Sequence, residues 1–154
     1  MPNYCENRVK FTAPDEEMAS KLSLAIKSGK LFSEFIETPS DITDNGAILD
    51  WRVRNWGTKW EPIDLFDFDQ EGLEFNLEFF TAWSPPIPFY DKLLELNFEV
   101  EAYYNEPGIG YCGQYHSGCE DTFKYDDISE GKVPNEIIEM FDLADTEIDE
   151  EDEG

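Results

Sequence analysis

A chain of 154 residues, 40% hydrophobic and 15% aromatic, can build one domain with a real core. That argues against disorder of the whole chain. Against 11 Lys and Arg stand 36 Asp and Glu, a net charge of −25, or roughly one net charge per 300 Å² on a globule of about 8,000 Å². Such a surface repels phosphate backbones and anionic membranes, disfavours direct nucleic-acid binding and attracts basic partners.

Taken in chain order, Asn3 to Phe11 alternates, with Cys5, Val9 and Phe11 on one side and Glu6, Arg8 and Lys10 on the other. This predicts a strand. Asp15, Glu16 and Glu17 open a helix whose apolar stripe is Met18, Leu22, Ala25 and Ile26, and Gly29 ends it. Leu31 to Ile36 reads as a helical turn or irregular segment. Ile48 to Asn55 reads as a second strand, with Leu49, Trp51 and Val53 alternating against Arg52 and Arg54.

Ile63 to Phe68 and Leu73 to Phe80 predict a hairpin around Asp69-Gln70-Glu71-Gly72. A helix follows from Pro86 or Ile87 to Leu96. Phe98 to Tyr104 is then a strand, with Glu99, Glu101 and Tyr103 outward. Tyr111 to His116 and Asp121 to Tyr125 predict a last hairpin, and Ile137 to Leu143 a short terminal helix. Asp145 to Gly154 holds seven acids and no base, which predicts a disordered tail. Without those seven charges, −25 becomes −18 for residues 1–144, so the body is acidic in its own right.

The predicted fold class is α+β, a split βαβ sandwich of order β-α-β-β-α-β. An extra C-terminal hairpin, a short terminal helix and the acidic tail complete it. The expected organisation is a domain over 1–125, an extension over 126–144 and a tail over 145–154.

No apolar leader follows Met1, and no run reaches membrane-spanning length, which predicts a cytoplasmic protein without membrane contact. Cys5, Cys112 and Cys119 are odd in number and lack CxxC spacing, so reduced thiols are expected. Cys112, His116 and Cys119 have the spacing C-x3-H-x2-C, three potential ligands without an obvious fourth. No metal or cofactor is expected. A Cys112–His116 dyad is the best of the poor enzyme readings, and the chain is expected not to be an enzyme. Gly108-Ile109-Gly110 lacks the Lys-Ser/Thr and the following helix of a phosphate loop.

Four segments carry a family resemblance: Pro2-Asn3-Tyr4-Cys5-Glu6-Asn7; Asn55-Trp56-Gly57-Thr58-Lys59-Trp60; Thr81-Ala82-Trp83-Ser84-Pro85-Pro86; and Asn105-Glu106-Pro107-Gly108 leading into Tyr111-Cys112-Gly113-Gln114-Tyr115. In order and spacing they resemble the YubB-type ferredoxin-like domain proteins of phages and conjugative plasmids, over about residues 1–125. The resemblance implies a ferredoxin-like fold without an iron–sulfur cluster. It also implies a role in host takeover or in blocking host defence.

Two surfaces are candidates for function. If the apolar residues of the central strands face the helices, then Glu74, Glu78, Glu99 and Glu101 share the opposite sheet face with Tyr103. Asp67 and Asp69 add to it, since Glu61 to Phe79 has seven acids and no Lys or Arg. This predicts an acidic interaction protein that binds and inhibits a host protein with a basic, nucleic-acid-binding surface, with Tyr103 as exposed anchor. A monomer or small homo-oligomer is expected. The alternative is a small-ligand or weakly catalytic site lined by Trp56, Lys59 and Trp83, against which stands the use of tryptophans to anchor loops.

Overall fold

The computed structural model describes residues 3–144, without the side chains of Phe66 and Asp67. The predicted tail over 145–154 lies outside the described residues. The sheet has the order β2-β3-β1-β4-β5-β6 and every neighbouring pair is antiparallel. Its strands are β1 (Tyr4–Thr12), β2 (Ile63–Glu71), β3 (Glu74–Ala82), β4 (Glu99–Glu106), β5 (Tyr111–His116) and β6 (Cys119–Lys124). The first four are ordered as the predicted split βαβ sandwich requires, and β5–β6 is the extra hairpin.

Helices α1 (Glu16–Ser28), α2 (Asn45–Asn55) and α3 (Ile87–Glu95) follow β1 and β3. α1 starts where the Asp15 side chain accepts the Met18 N–H and stops at left-handed Gly29. The apolar positions of the central strands meet it in register. Val9 pairs with Leu77 and Ala102, and Phe11 with Phe75 and Val100. Phe89 of α3 is the hub of the core, with Phe32 at 4.8 Å and Phe35 at 5.9 Å between ring centroids. Each such edge-on pair adds about 0.5–1.5 kcal/mol beyond its area.

Two expectations change. The segment expected as a strand over Ile48 to Asn55 is the helix α2. Asp44 accepts the Ala47 N–H at 2.9 Å and caps its start. Its partly buried residues Ile48, Leu49, Trp51, Arg52 and Asn55 recur at helical spacing, while Val53 is half exposed. The β2–β3 turn is shorter than expected: Asp69 to Glu71 continue the strand, and Gly72 (φ 64°) turns the chain.

The helices also do not all lie on one face. α4 (Asp126–Ser129) and α5 (Asn135–Met140) fold back onto the other side of the sheet. There Ile128, Val133, Ile137 and Leu143 bury Tyr103 and Cys112 in a second apolar cluster. The extension is thus part of the packed body, covering the β4–β5 half of that face and reaching β1, where the Arg8 guanidinium lies 5.4 Å from the Phe141 ring centre, and it leaves the β2–β3 side open.

The thiols test this layering. Cys119 is exposed, Cys112 lies beneath the second cluster and Cys5 is buried at the main core. Burial pushes the Cys112 thiol up to about 11 and the Cys5 thiol well above its ordinary value. A thiol reagent at neutral pH is expected to label one cysteine in the native chain. Ile137→Ala costs about 2–5 kcal/mol, and it is expected to speed labelling of Cys112 selectively. Equal acceleration at Cys5 would mean that the second cluster does not open on its own.

Candidate partner-binding surface

The register positions on the face away from α1–α3 form rows across the sheet. Glu71, Glu74, Thr12 and Glu99 make one row. Asp69, Asn76, Lys10, Glu101 and His116 make the next, and Asp67, Glu78, Arg8, Tyr103 and Gln114 the third. Glu74, Glu78, Glu99, Glu101 and Asp69 are therefore gathered on one face, as expected. Asp67 takes a register position there, and its side chain lies outside the description.

The face is not a field of carboxylates alone. Arg8 and Lys10 sit on the central strand between the acids. Lys10 Nζ is 2.5 Å from Glu74, and Arg8 Nε is 2.9 Å from Glu78 and 3.3 Å from Glu6. Hydrogen bonding and attraction to Glu74, then the charges of Glu101 and Glu99, hold Lys10 above its ordinary value. These two cations were readable from the alternation of β1, because Arg8 and Lys10 must face opposite to Val9 and Phe11.

Tyr103 corrects a further expectation. It is 6% exposed, covered by the C-terminal segment, and is no free anchor. Its hydroxyl lies 2.9 Å from both Glu101 Oε1 and Glu136 Oε1 and donates its single proton to one of them. Glu136 belongs to α5 and had no signal in the strands. Arg8, Lys10, Asn76, Glu78, Tyr103 and Met140 line a groove of about 390 Å³ between the open face and α5.

The tryptophan loops serve the fold. Trp56 is 1% exposed, packs on Phe32 and Trp51, and donates from Nε1 to Ile36 O at 2.8 Å. Lys59 lies over Trp60, and Trp83 is half exposed in a left-handed conformation (φ 71°). Trp56 is spent on the core while Trp83 is exposed, so the two do not present one aromatic surface with Lys59. The loops are clasped to one another: Ser84 Oγ donates to Gly57 O at 2.6 Å, and Thr58 Oγ1 bonds both Ala82 O and Ala82 N at 3.1 Å. Gly57 (φ 93°) is required there, since a Cβ would lie 2.7 Å from Pro88 Cδ.

Cys112 and His116 stand four residues apart on β5, about 13 Å along the strand. One is buried under the extension and the other exposed, so the proposed dyad and the C-x3-H-x2-C ligand set do not converge. Among the described residues no group of three or more His, Cys, Asp or Glu is placed to hold a metal. In the β4–β5 turn the buried Glu106 Oε2 accepts the Ile109 N–H at 2.5 Å, which occupies an amide a phosphate would need.

Sheet order and helix placement define an α+β ferredoxin-like domain. Residues 55–152 match the family described as the ferredoxin-like domain in Api92-like protein, and the chain belongs to that family. No curated protein matches. Among solved structures, the crystal structure of the protein Api92 from Yersinia pseudotuberculosis is similar at 18% identity and a TM-score of 0.40. The similarity covers 56% of this chain and 32% of that one, so this chain spans about a third of its length. No helix among the described residues is long and apolar enough to cross a membrane.

Burial, the largest cause in each case, pushes Tyr90, Tyr103, Tyr104, Tyr111, Tyr115 and Tyr125 above 10.0, Tyr125 to about 12. Their folded values exceed the unfolded ones. The stability they lend is therefore complete below pH 10 and lost as pH rises through the folded values. The urea midpoint is expected to fall from about pH 10 upward, with the absorbance of these six phenolates rising only as the chain unfolds. Ionisation of all these phenols near pH 10 in a still-folded chain would contradict this.

Proposed function

We propose that this chain is an acidic interaction protein that binds and inhibits a host protein through a basic, nucleic-acid-binding surface, with no catalysis of its own. The observation that carries this reading is the charge layout of the open sheet face. Glu6, Asp69, Glu71, Glu74, Glu78, Glu99 and Glu101 lie there, and among the described residues of β1 to β4 the cations on that face are Arg8 and Lys10. Same-face positions recur roughly every 7 Å along a strand, and carboxylates fill consecutive ones at Asp69 and Glu71 of β2 and at Glu99 and Glu101 of β4, with Glu71 directly opposite Glu74. That density suits a groove built for closely spaced phosphates.

The folded body keeps a surplus of acid after its ion pairs are made. The described pairs involve Arg8, Lys10, Lys92 and Lys132, while residues 1–144 carry −18. Such a surface speeds association with a basic partner and makes it sensitive to salt. The resemblance of the four motifs to YubB-type proteins of phages and conjugative plasmids supports a setting in the host cytoplasm, with anti-defence inhibition as the most natural instance.

Asp69, Glu71 and Glu99 are exposed. Captured from lysate at about 0.05 M salt, a basic nucleic-acid-binding partner is expected to be released at about 0.5 M and displaced by duplex DNA. Asp69→Lys/Glu71→Lys/Glu99→Lys is expected to lower its capture by about tenfold or more, with an unchanged melting profile. Salt-insensitive capture, or full capture by the reversed variant, would sink the reading.

A further inference from the structure

We infer that the basic partner docks by adding an extended segment to the outer edge of β2, with Lys or Arg at every second position. This rests on the reading of the acidic face given above. Among the described residues, β2 ends the sheet and has β3 as its one neighbour. Among the described residues, no backbone hydrogen bond from Ile63–Glu71 reaches outward to another segment. A strand edge in this state offers a row of unpaired N–H and C=O groups. After an irregularity between Ile63 and Asp67, the ladder runs without a register shift from Asp67 to Glu71, a straight edge of about 17 Å.

Charge on that edge selects the occupant. Asp69 and Glu71 are exposed, and Glu71 stands directly opposite Glu74. Like charges in that relation are destabilising. Lys10 and Arg8 approach Glu74 and Glu78 from the β1 side, and no described ion pair involves Asp69 or Glu71. A strand added about 4.8 Å further out would place every second side chain beside these carboxylates. Cationic side chains there would supply the missing opposite charge. Main-chain bonds would give affinity, and the alternate cations specificity.

A second copy of the chain is the wrong occupant, because β2 against β2 would set carboxylates beside carboxylates. The opposite edge, β6, is less suited: it mixes Glu120 and Asp121 with Lys124 and runs directly into α4. Acidic residues on β2 thus guard the edge by sign. They repel a like strand and admit a basic one.

The probe is a nine-residue peptide alternating lysine and valine, used with the full chain. Binding is expected to weaken with salt and to slow amide exchange in Asp67–Glu71. Strand addition uses one edge of the peptide. Of two forms, N-methylated either at the lysines or at the valines, one is therefore expected to lose about tenfold or more in affinity and the other to bind as before. Salt-sensitive binding that both forms share equally would overturn strand addition and leave the acidic-face reading standing. No salt-sensitive binding of any peptide would overturn both. Protection of Asp67–Glu71 that grows with protein concentration without peptide would assign the edge to a second copy and also overturn the inference.

Discussion

β1 can pair with β3 and β4 in only one register, because a slip of one residue exchanges its two faces. In the observed register Val9 and Phe11 meet the aromatic cluster around Phe89, and Arg8 and Lys10 lie among carboxylates. The slipped register would press a guanidinium and an ammonium into the core. Burying one Phe side chain is worth about 1.5–3 kcal/mol, whereas an exposed ion pair contributes about 0–1 kcal/mol. The core therefore fixes the register, and the position of the two cations on the far face follows from it.

Much of this was legible in the sequence. The alternation of Cys5, Val9 and Phe11, and of Phe75, Leu77 and Phe79, is strong enough that both faces of β1 and β3 follow from period two alone. α2 was misread because Leu49, Trp51 and Val53 also alternate, and over a few residues periods of 2 and 3.6 overlap. The cap at Asp44 was the signal that separated them. Trp56 as a core anchor agrees with the common use of large aromatics beside glycine.

The burial of Tyr103 was less accessible. Its strand pattern is that of an outward residue, and the cover comes from Ile128, Ile137 and Leu143, far along the chain. The trace it leaves is an apolar column on the supposedly polar face: Cys112 and Phe123 pair in register beside it. Such a column needs something to cover it, and the segment after β6 supplies Ile128, Val133, Ile137 and Leu143. Glu136 enters the same cluster only through that packing, which is why its approach to Tyr103 could not be read from spacing.

The distribution of charge across the sheet decides how an approaching molecule meets it. Net negative charge of this size opposes compaction, and the fold places Arg8 and Lys10 on the central strand, where each faces acids from more than one strand. The rim strand β2 lies beyond β3, and the two cations are engaged with acids of the strands nearer to them. The cations pair with Glu74 and Glu78, while no described ion pair includes Asp69 or Glu71. A molecule arriving from the β2 side thus meets the unneutralised carboxylates first. The arrangement that relieves repulsion at the centre of the sheet leaves its outer edge selectively attractive to positive charge.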